Sequence, residues 1–163
     1  MPKAHVYPRD HINTDEIIPA RYLTTDQESQ LAAHCLEDLD PQFVKKVKPG
    51  DVIVAGDDFG CGSSREHAVW AIRGAKVSAV VAGSFARIFY RNAINGGFLV
   101  VELPGAAGKI RDGDEIEINS KAGLLINRTQ NQTHQFIPLP PFALEMIQAG
   151  GLLNQLAKRI VKP

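Results

Sequence analysis

Short apolar runs alternate with segments of helical spacing along the first two thirds of the chain. The runs Asp51–Ala55, Lys76–Ala82 and Phe98–Glu102 are rich in strand-forming residues and predict buried strands. Apolar residues at helical spacing follow the first run at residues 68–75, and a helix is predicted to open at Ser84 and to continue to Arg91 after the second. Alternating strands and helices are typical of βαβ units, so this part is predicted to be α/β with a largely parallel sheet.

The first forty residues predict one strand and one helix. Ala4–Tyr7 is typical of a short strand. Thr25 and Glu28 have the spacing of a capping box, and apolar residues at helical spacing follow them. A helix is therefore predicted over about Asp26–Leu39, ended by Asp40-Pro41. The segment between the strand and the helix mixes turn formers with apolar residues and predicts an ordered but irregular loop.

After Pro104 the pattern changes from buried runs to alternation of polar and apolar residues. This predicts a β-rich part followed by two helices: strands at Glu115–Asn119, Leu124–Asn127 and Thr133–Pro138, and helices at Pro141–Ala149 and Leu152–Ile160. The chain shows neither an internal repeat nor a low-complexity linker. We therefore expect one domain, residues 1–163, with a change of layer near Pro104.

Composition narrows the class of protein. The 163 residues are 44% hydrophobic, and 18 basic residues balance 18 acidic ones. This balance removes the general attraction that a nucleic-acid or anionic-membrane binder carries, so neither partner is expected. The N-terminus has no apolar signal region, and no apolar run reaches the ~20 residues that span a bilayer. These features predict a globular cytoplasmic protein.

Two cysteines, Cys35 and Cys61, occur without a metal-binding spacing. They are expected to be ordinary reduced thiols. An iron-sulfur cluster needs three or four thiolates, so the chain is expected to bind no cluster by itself, and no metal site is predicted.

The loop at residues 56–68 carries the candidate chemistry. Its glycines allow close approach of a ligand to the backbone. Ser63 and Ser64 are placed where a helix is predicted to begin, and Arg65 adds a guanidinium that can hold a carboxylate by two hydrogen bonds. The loop therefore suits a small carboxylate. A purely structural interpretation is also open, because Ser63 and Glu66 have capping-box spacing. It leaves Arg65 unexplained, since a basic residue in the first turn opposes the helix dipole.

Three segments resemble the swivelling domain of the aconitase superfamily. Gly56–Ala68 is similar to the signature of that domain without a gap, and Asn13–Leu23 and Gly83–Asn92 are similar to its N-terminal segment and its second strand-to-helix passage. The resemblance covers nearly the whole chain. It implies a single β/β/α domain whose largely parallel sheet is flanked by helices, with a C-terminal β-rich part.

The resemblance also implies a function. A free-standing chain of this length is similar to the small subunits of isopropylmalate isomerases, with those of homoaconitases and dimethylmalate dehydratases as close relatives. Such a subunit is expected to remove and re-add water on a hydroxy-dicarboxylate only together with a large subunit that bears a [4Fe-4S] cluster. A stand-alone carboxylate-binding module is the alternative from another class, and self-association of the isolated chain is left open.

Site residues follow from the same resemblance. Ser63 matches the serine that acts as base on the Cα proton, Ser64 and Arg65 match residues that hold a substrate carboxylate, and Asp15 matches an acidic residue of the same cleft. The arginine that pairs with a distal carboxylate in homoaconitase-like relatives is replaced by Thr24-Thr25. This favours the alkyl group of isopropylmalate, with dimethylmalate still open.

The remaining basic side chains near these motifs are given no chemical role. His67 and His11 are interpreted as structural, satisfied or exposed histidines. Arg87 and Arg91, one helical turn apart, are assigned no part in catalysis.

Overall fold

The computed structural model describes residues 2–151, whose strands form two sheets. A parallel sheet has the order β1-β2-β3-β4, and an antiparallel sheet has the order β5-β6-β7. The strands are β1 (Ala4–Tyr7), β2 (Val52–Ala55), β3 (Ala79–Ala82), β4 (Leu99–Glu102), β5 (Ile116–Asn119), β6 (Leu124–Asn127) and β7 (Gln132–Gln135).

Short helices connect and cover these strands. They are α1 (Thr14–Ile17), α2 (Glu28–Ala32), α3 (Phe43–Lys46), α4 (His67–Gly74), α5 (Arg87–Asn95), α6 (Ala106–Lys109) and α7 (Pro141–Ala149), with one 3-10 turn at Ala20–Tyr22. Among residues 2–151, no helix combines the length and the apolar character needed to traverse a bilayer. The predicted helix at Leu152–Ile160 lies outside the described residues.

Alternate residues of the parallel sheet enter two separate cores. On one face, Ile53 and Val80 join a core shared with α4 and α5. On the other face, Val54 and Val81 join a core that contains Leu125 of the antiparallel sheet. Successive side chains of a strand point to opposite faces, so one sheet lies between a helical layer and a second sheet. This confirms the predicted α/β class with its parallel sheet and C-terminal β-rich part.

The helix predicted over Asp26–Leu39 is much shorter. Helix α2 ends at Ala32 and is followed by turns. The amide of Leu36 donates to the carbonyl of Ile17 at 2.8 Å, and Leu36 adopts a φ of 57°, so a long-range bond removes it from the helix.

The capping box predicted at the start of this helix is also absent. The hydroxyl of Thr25 accepts the amide of Gln27 at 3.1 Å, and the helix N-cap is Gln27. The Glu28 carboxylate accepts a hydrogen bond from Nε of Arg73 on α4 at 3.0 Å. The carboxylate thus joins α2 to α4 instead of capping its own helix.

Element boundaries differ from prediction where the chain makes long-range contacts. Helix α5 begins at Arg87 instead of Ser84 because the carbonyl of Ser84 accepts the amide of Phe59 at 3.1 Å and the amide of Ala86 donates to the carbonyl of Phe59 at 3.0 Å. This backbone pairing holds residues 84–86 extended.

Candidate active site

The loops that follow β1, β2 and β3 meet at the carboxyl edge of the parallel sheet. Two isolated parallel bridges, Asn13 to Cys61 and Phe59 to Phe85, continue the pairing beyond the strands. Phe59 is buried and packs edge-on against Phe85, with ring centroids 6.1 Å apart. The loop after β2 is therefore anchored on both sides before it reaches the predicted site residues.

Helix α1 provides one of these anchors. Asn13 and Glu16 form a capping box, in which the Glu16 amide donates to Asn13 Oδ1 at 3.0 Å. The Thr14 amide donates to the carbonyl of Cys61 at 2.8 Å, and the Ser63 amide donates to Thr14 Oγ1 at 2.9 Å. A four-residue helix thus fixes the backbone that leads to Ser63. The Asn-x-x-Glu pattern of residues 13–16 was a sequence signal for this helix that the prediction of an irregular loop missed.

Gly60 is required at the turn that directs the loop toward Ser63. Its φ is +85°, and a Cβ at this position would collide with the side chain of Phe89 on α5. Phe89 in turn packs edge-on against Phe59, with centroids 5.2 Å apart. The absence of a side chain lets the loop pass directly over the aromatic core.

The serine loop precedes the helix instead of capping it. Helix α4 begins at His67 with Glu66 as its N-cap, and the cap makes no side-chain hydrogen bond. The hydroxyl of Ser63 accepts the amide of Arg65 at 3.2 Å, so the predicted Ser63–Glu66 box is wrong. Arg65 also lies before the first turn. The purely structural interpretation of Ser63 loses its main support, because the hydroxyl satisfies no helix amide.

Three of the predicted site residues surround one small, open concavity. They are Asp15, Ser63 and Arg65, and the remaining lining residues are Thr14, Ile18, Leu23, His67 and Ala68. Asp15, Ser63 and Arg65 are exposed in this chain, so their polar groups are open to a ligand. A hydroxyl, a guanidinium and a carboxylate thus lie beside the apolar side chains of Ile18 and Leu23.

The other predicted residues lie outside this concavity. Ser64 is exposed, and its carbonyl accepts the side-chain amide of Asn92 at 3.0 Å. Thr24 and Thr25 line a separate open depression with Arg21, Tyr22, Gln30, Ala33 and His34. Leu23 lines the concavity beside Ser63, whereas the next residue, Thr24, lines the other depression.

His67 was interpreted as a structural histidine, either satisfied or exposed, and its surroundings match neither description fully. Its side chain is 17% exposed, and Nε2 lies 3.5 Å from Oδ1 of Asp26. Its other ring nitrogen, Nδ1, is buried and has no hydrogen-bond partner among residues 2–151. His67 is thus neither satisfied nor freely exposed, and it belongs to the wall of the concavity.

His11 differs from His67. Its side chain is 71% exposed, and Nδ1 lies 2.8 Å from Oδ2 of Asp58, as expected for an exposed structural histidine. His11, Asp58 and Cys61 place three metal-ligand atoms within 4.8 Å of one another. Burial and the neighbouring Asp58 charge raise the pKa of the Cys61 thiol, which opposes the thiolate that a metal requires.

The cysteines also do not fit an iron-sulfur cluster. The chain has two, fewer than the three or four thiolates that a cluster requires. Cys35 is fully buried in the helical core, and this burial raises the pKa of its thiol. A cluster at this site would need its thiolates from another polypeptide.

Comparison with known proteins places this geometry in a family. Residues 9–106 match the model of the aconitase C-terminal domain. The 3-isopropylmalate dehydratase small subunit of Deinococcus deserti is 57% identical over 160 residues, which cover 98% of this chain and 88% of the relative. That of Moorella thermoacetica is 53% identical, with 97% and 95% covered.

A solved structure agrees with the sequence relatives. The crystal structure of 3-isopropylmalate dehydratase from Methanocaldococcus jannaschii aligns with a TM-score of 0.93 at 46% identity, and the alignment covers 98% of this chain and 94% of that chain. Both the loop that carries Ser63 and the two-sheet architecture are thus part of a long match. The chain belongs to the aconitase superfamily and, within it, to the hydro-lyase family of 3-isopropylmalate dehydratase small subunits.

Proposed function

We propose that this chain is the half of a two-subunit 3-isopropylmalate dehydratase that contributes the proton-transfer and carboxylate-binding residues. The enzyme interconverts 2-isopropylmalate and 3-isopropylmalate by dehydration and rehydration, in leucine biosynthesis in the cytoplasm. Its large subunit holds a [4Fe-4S] cluster, which supplies Lewis-acid chemistry at the substrate hydroxyl. The observation that carries this proposal is the grouping of Ser63, Arg65 and Asp15 around one concavity, in a chain 57% identical to a relative of that name.

Arg65 is the main carboxylate-binding group of the proposed site. Its guanidinium is always charged and presents a planar fork that matches a carboxylate. Ser64 adds a hydroxyl donor from the same exposed loop. Because Arg65 precedes α4, its side chain is free of the helix and can turn toward a ligand beside Ser63.

Ser63 is the proposed base. In the dehydration direction its oxygen, as an alkoxide, takes the proton from the substrate carbon, the C–H electrons form the double bond, and the hydroxyl leaves with the C–O electrons; rehydration returns the proton. A free serine hydroxyl is a weak base, so it needs neighbouring donors and positive charge. The structure supports this role, since Ser63 Oγ already accepts the amide of Arg65 at 3.2 Å. The large subunit would supply the cover that excludes water from this exposed loop.

Substrate choice is proposed to depend on the surface beyond the serine loop. Ile18 and Leu23 give the concavity an apolar wall. Thr24 and Thr25 carry no charge to pair with a distal carboxylate, which disfavours homocitrate. An alkyl substituent therefore suits this side of the site, as in isopropylmalate and also in dimethylmalate.

Reconstitution tests the proposal. The full chain is mixed with the candidate large subunit from the same source, and hydro-lyase turnover is measured with isopropylmalate, dimethylmalate and homocitrate side by side. We expect turnover only in the mixture, with isopropylmalate preferred. Saturable carboxylate binding by the isolated chain, without turnover in any mixture, would instead support a stand-alone binding module. A preference for dimethylmalate or homocitrate would overturn the substrate assignment and keep the reaction class.

A further inference from the structure

His67 lines the concavity beside Ser63, and one nitrogen of its ring is shielded from solvent. Nδ1 of His67 is buried without a hydrogen-bond partner among the described residues. Nearly all buried polar atoms in folded proteins are paired, and leaving one unpaired destabilises the fold. Such an atom calls for a specific explanation, and a ligand absent from the isolated chain is one.

The rest of the ring has identified neighbours. Nε2 lies 3.5 Å from a carboxylate oxygen of Asp26, and the ring packs against Trp70 with centroids 4.8 Å apart. Asp26 is not among the residues that surround the concavity. Nδ1 is therefore the ring nitrogen of His67 for which the described residues provide no partner.

We propose that His67 is a further substrate-contacting residue, whose Nδ1 donates a hydrogen bond to a substrate carboxylate; this inference rests on the proposed function. The substrates of that function carry two carboxylates, and Arg65 can pair with one of them. With its proton on Nδ1, the ring donates to the second carboxylate. His67 thus completes the pairing of a dianionic ligand within one small concavity.

The chain contains a matched control for an unpaired ring nitrogen. Nε2 of His134 is likewise buried without a partner among residues 2–151. His134 belongs to β7 of the antiparallel sheet, and it is not among the lining residues of the concavity. A general effect of removing an unpaired imidazole would appear at both positions, whereas a substrate contact would appear only at His67.

The test compares four variants of the full chain reconstituted with the large subunit. His67→Phe removes both nitrogens, His67→Asn keeps an amide near the position of Nδ1, His67→Gln keeps one near Nε2, and His134→Phe is the control. We expect His67→Phe to raise KM for isopropylmalate about 10- to 100-fold with kcat changed less than about threefold. His67→Asn should return KM to within about threefold of wild type, while His67→Gln should remain as impaired as His67→Phe.

Several outcomes would contradict the proposal. Unchanged KM in His67→Phe, or rescue by glutamine and not by asparagine, would assign the role to the Asp26 contact or to none. Thermal unfolding gives a readout independent of turnover: a substrate contact predicts an unchanged or higher midpoint in His67→Phe, and a lower midpoint indicates a structural histidine. Absence of turnover in the wild-type mixture would overturn the proposed function itself, whereas wild-type turnover with a normal His67→Phe KM overturns only this inference.

Discussion

Polar side chains are buried and paired at one edge of the parallel sheet and exposed at the other. At the amino edge, Asp51 is 4% exposed, and its carboxylate lies 2.7 Å from Nε2 of His5. It also accepts the amides of Lys48 and Lys3 at 3.0 and 3.1 Å. At the carboxyl edge, Ser63 and its neighbours are exposed. The loop that carries them is held by hydrogen bonds to its backbone and by the buried ring of Phe59.

The comparison separates stability from function within one sheet. Paired and buried polar groups fix a structure, because any rearrangement leaves them unsatisfied. Exposed hydroxyls and a guanidinium on an anchored loop contribute little to folding and remain available to a ligand. Substitutions at the two edges should therefore produce opposite patterns of stability and activity, and the following predictions test this contrast.

The largest effect is expected at Ser63. Ser63→Ala removes the proposed base, so turnover of the reconstituted enzyme should fall about 1000-fold or more. Because the residue is exposed, the free energy of unfolding should change by less than about 0.5 kcal/mol. Steady-state turnover and urea unfolding measure the two quantities. The matched control is Ser78→Ala at the amino edge, whose hydroxyl donates to the Gly50 carbonyl at 2.7 Å and which should keep full activity. Near-normal turnover in Ser63→Ala would remove this serine from the mechanism.

The reverse pattern is expected at Asp51. Asp51→Asn breaks a buried pair with His5 and should lower the free energy of unfolding by about 3 kcal/mol. KM should stay within about twofold of wild type at temperatures where the variant is folded, since the residue lies at the far edge. Urea unfolding and KM for isopropylmalate check the two halves of this prediction. A large change of KM with an unchanged free energy of unfolding would contradict the proposed separation of stability and function between the two edges.

Asp51 should also shape the response to acid. Burial opposes ionisation of this carboxylate, but hydrogen bonds from His5 and from the Lys48 and Lys3 amides outweigh burial, so its pKa lies below the ordinary 3.8. A lowered folded-state pKa stabilises the protein above 3.8, and this stability is lost as the pH falls through the folded value. As the pH is lowered from about 6 to about 2, the free energy of unfolding should therefore fall more steeply for wild type than for Asp51→Asn. Parallel curves would contradict the assignment.

The smallest effect is expected at Thr24. Thr24→Arg supplies a cation for a distal carboxylate and should raise kcat/KM for homocitrate relative to isopropylmalate about tenfold. The effect is modest because Thr24 lines a depression separate from that of Ser63. Thr133→Arg on the antiparallel sheet is the control for added charge. An unchanged substrate ratio in Thr24→Arg would place specificity on other residues, with Ile18 and Leu23 the nearest apolar ones.

Local sequence patterns predicted the central strands of the parallel sheet well because burial defines those strands. Val52–Ala55 is apolar at every position, and both of its faces are buried. Boundaries set by distant partners could not be predicted in this way. The extended residues before α5 depend on the backbone of Phe59, and the early end of α2 depends on the carbonyl of Ile17.

Prediction of the candidate site from the sequence was limited in the same way. Recognition of the Ser63 loop required only its residues, and the chain's family membership agrees with that recognition. The position of Thr24 in a separate depression and the unpaired nitrogen of His67 depend on how the loops pack against one another, which no local pattern records. The capping box at Asn13 and Glu16 was readable from spacing, whereas the one predicted at Ser63 failed because the chain enters the helix three residues later.

The two depressions have an evolutionary consequence. Thr24 and Thr25 line a different depression from that of Ser63, and the loop that bears Ser63 is anchored through Thr14 and Cys61. A duplicated gene could therefore exchange residues on that turn and acquire a new hydroxy acid without disturbing the proton-transfer loop. In such a lineage, divergence of substrate would precede, and be easier than, divergence of chemistry.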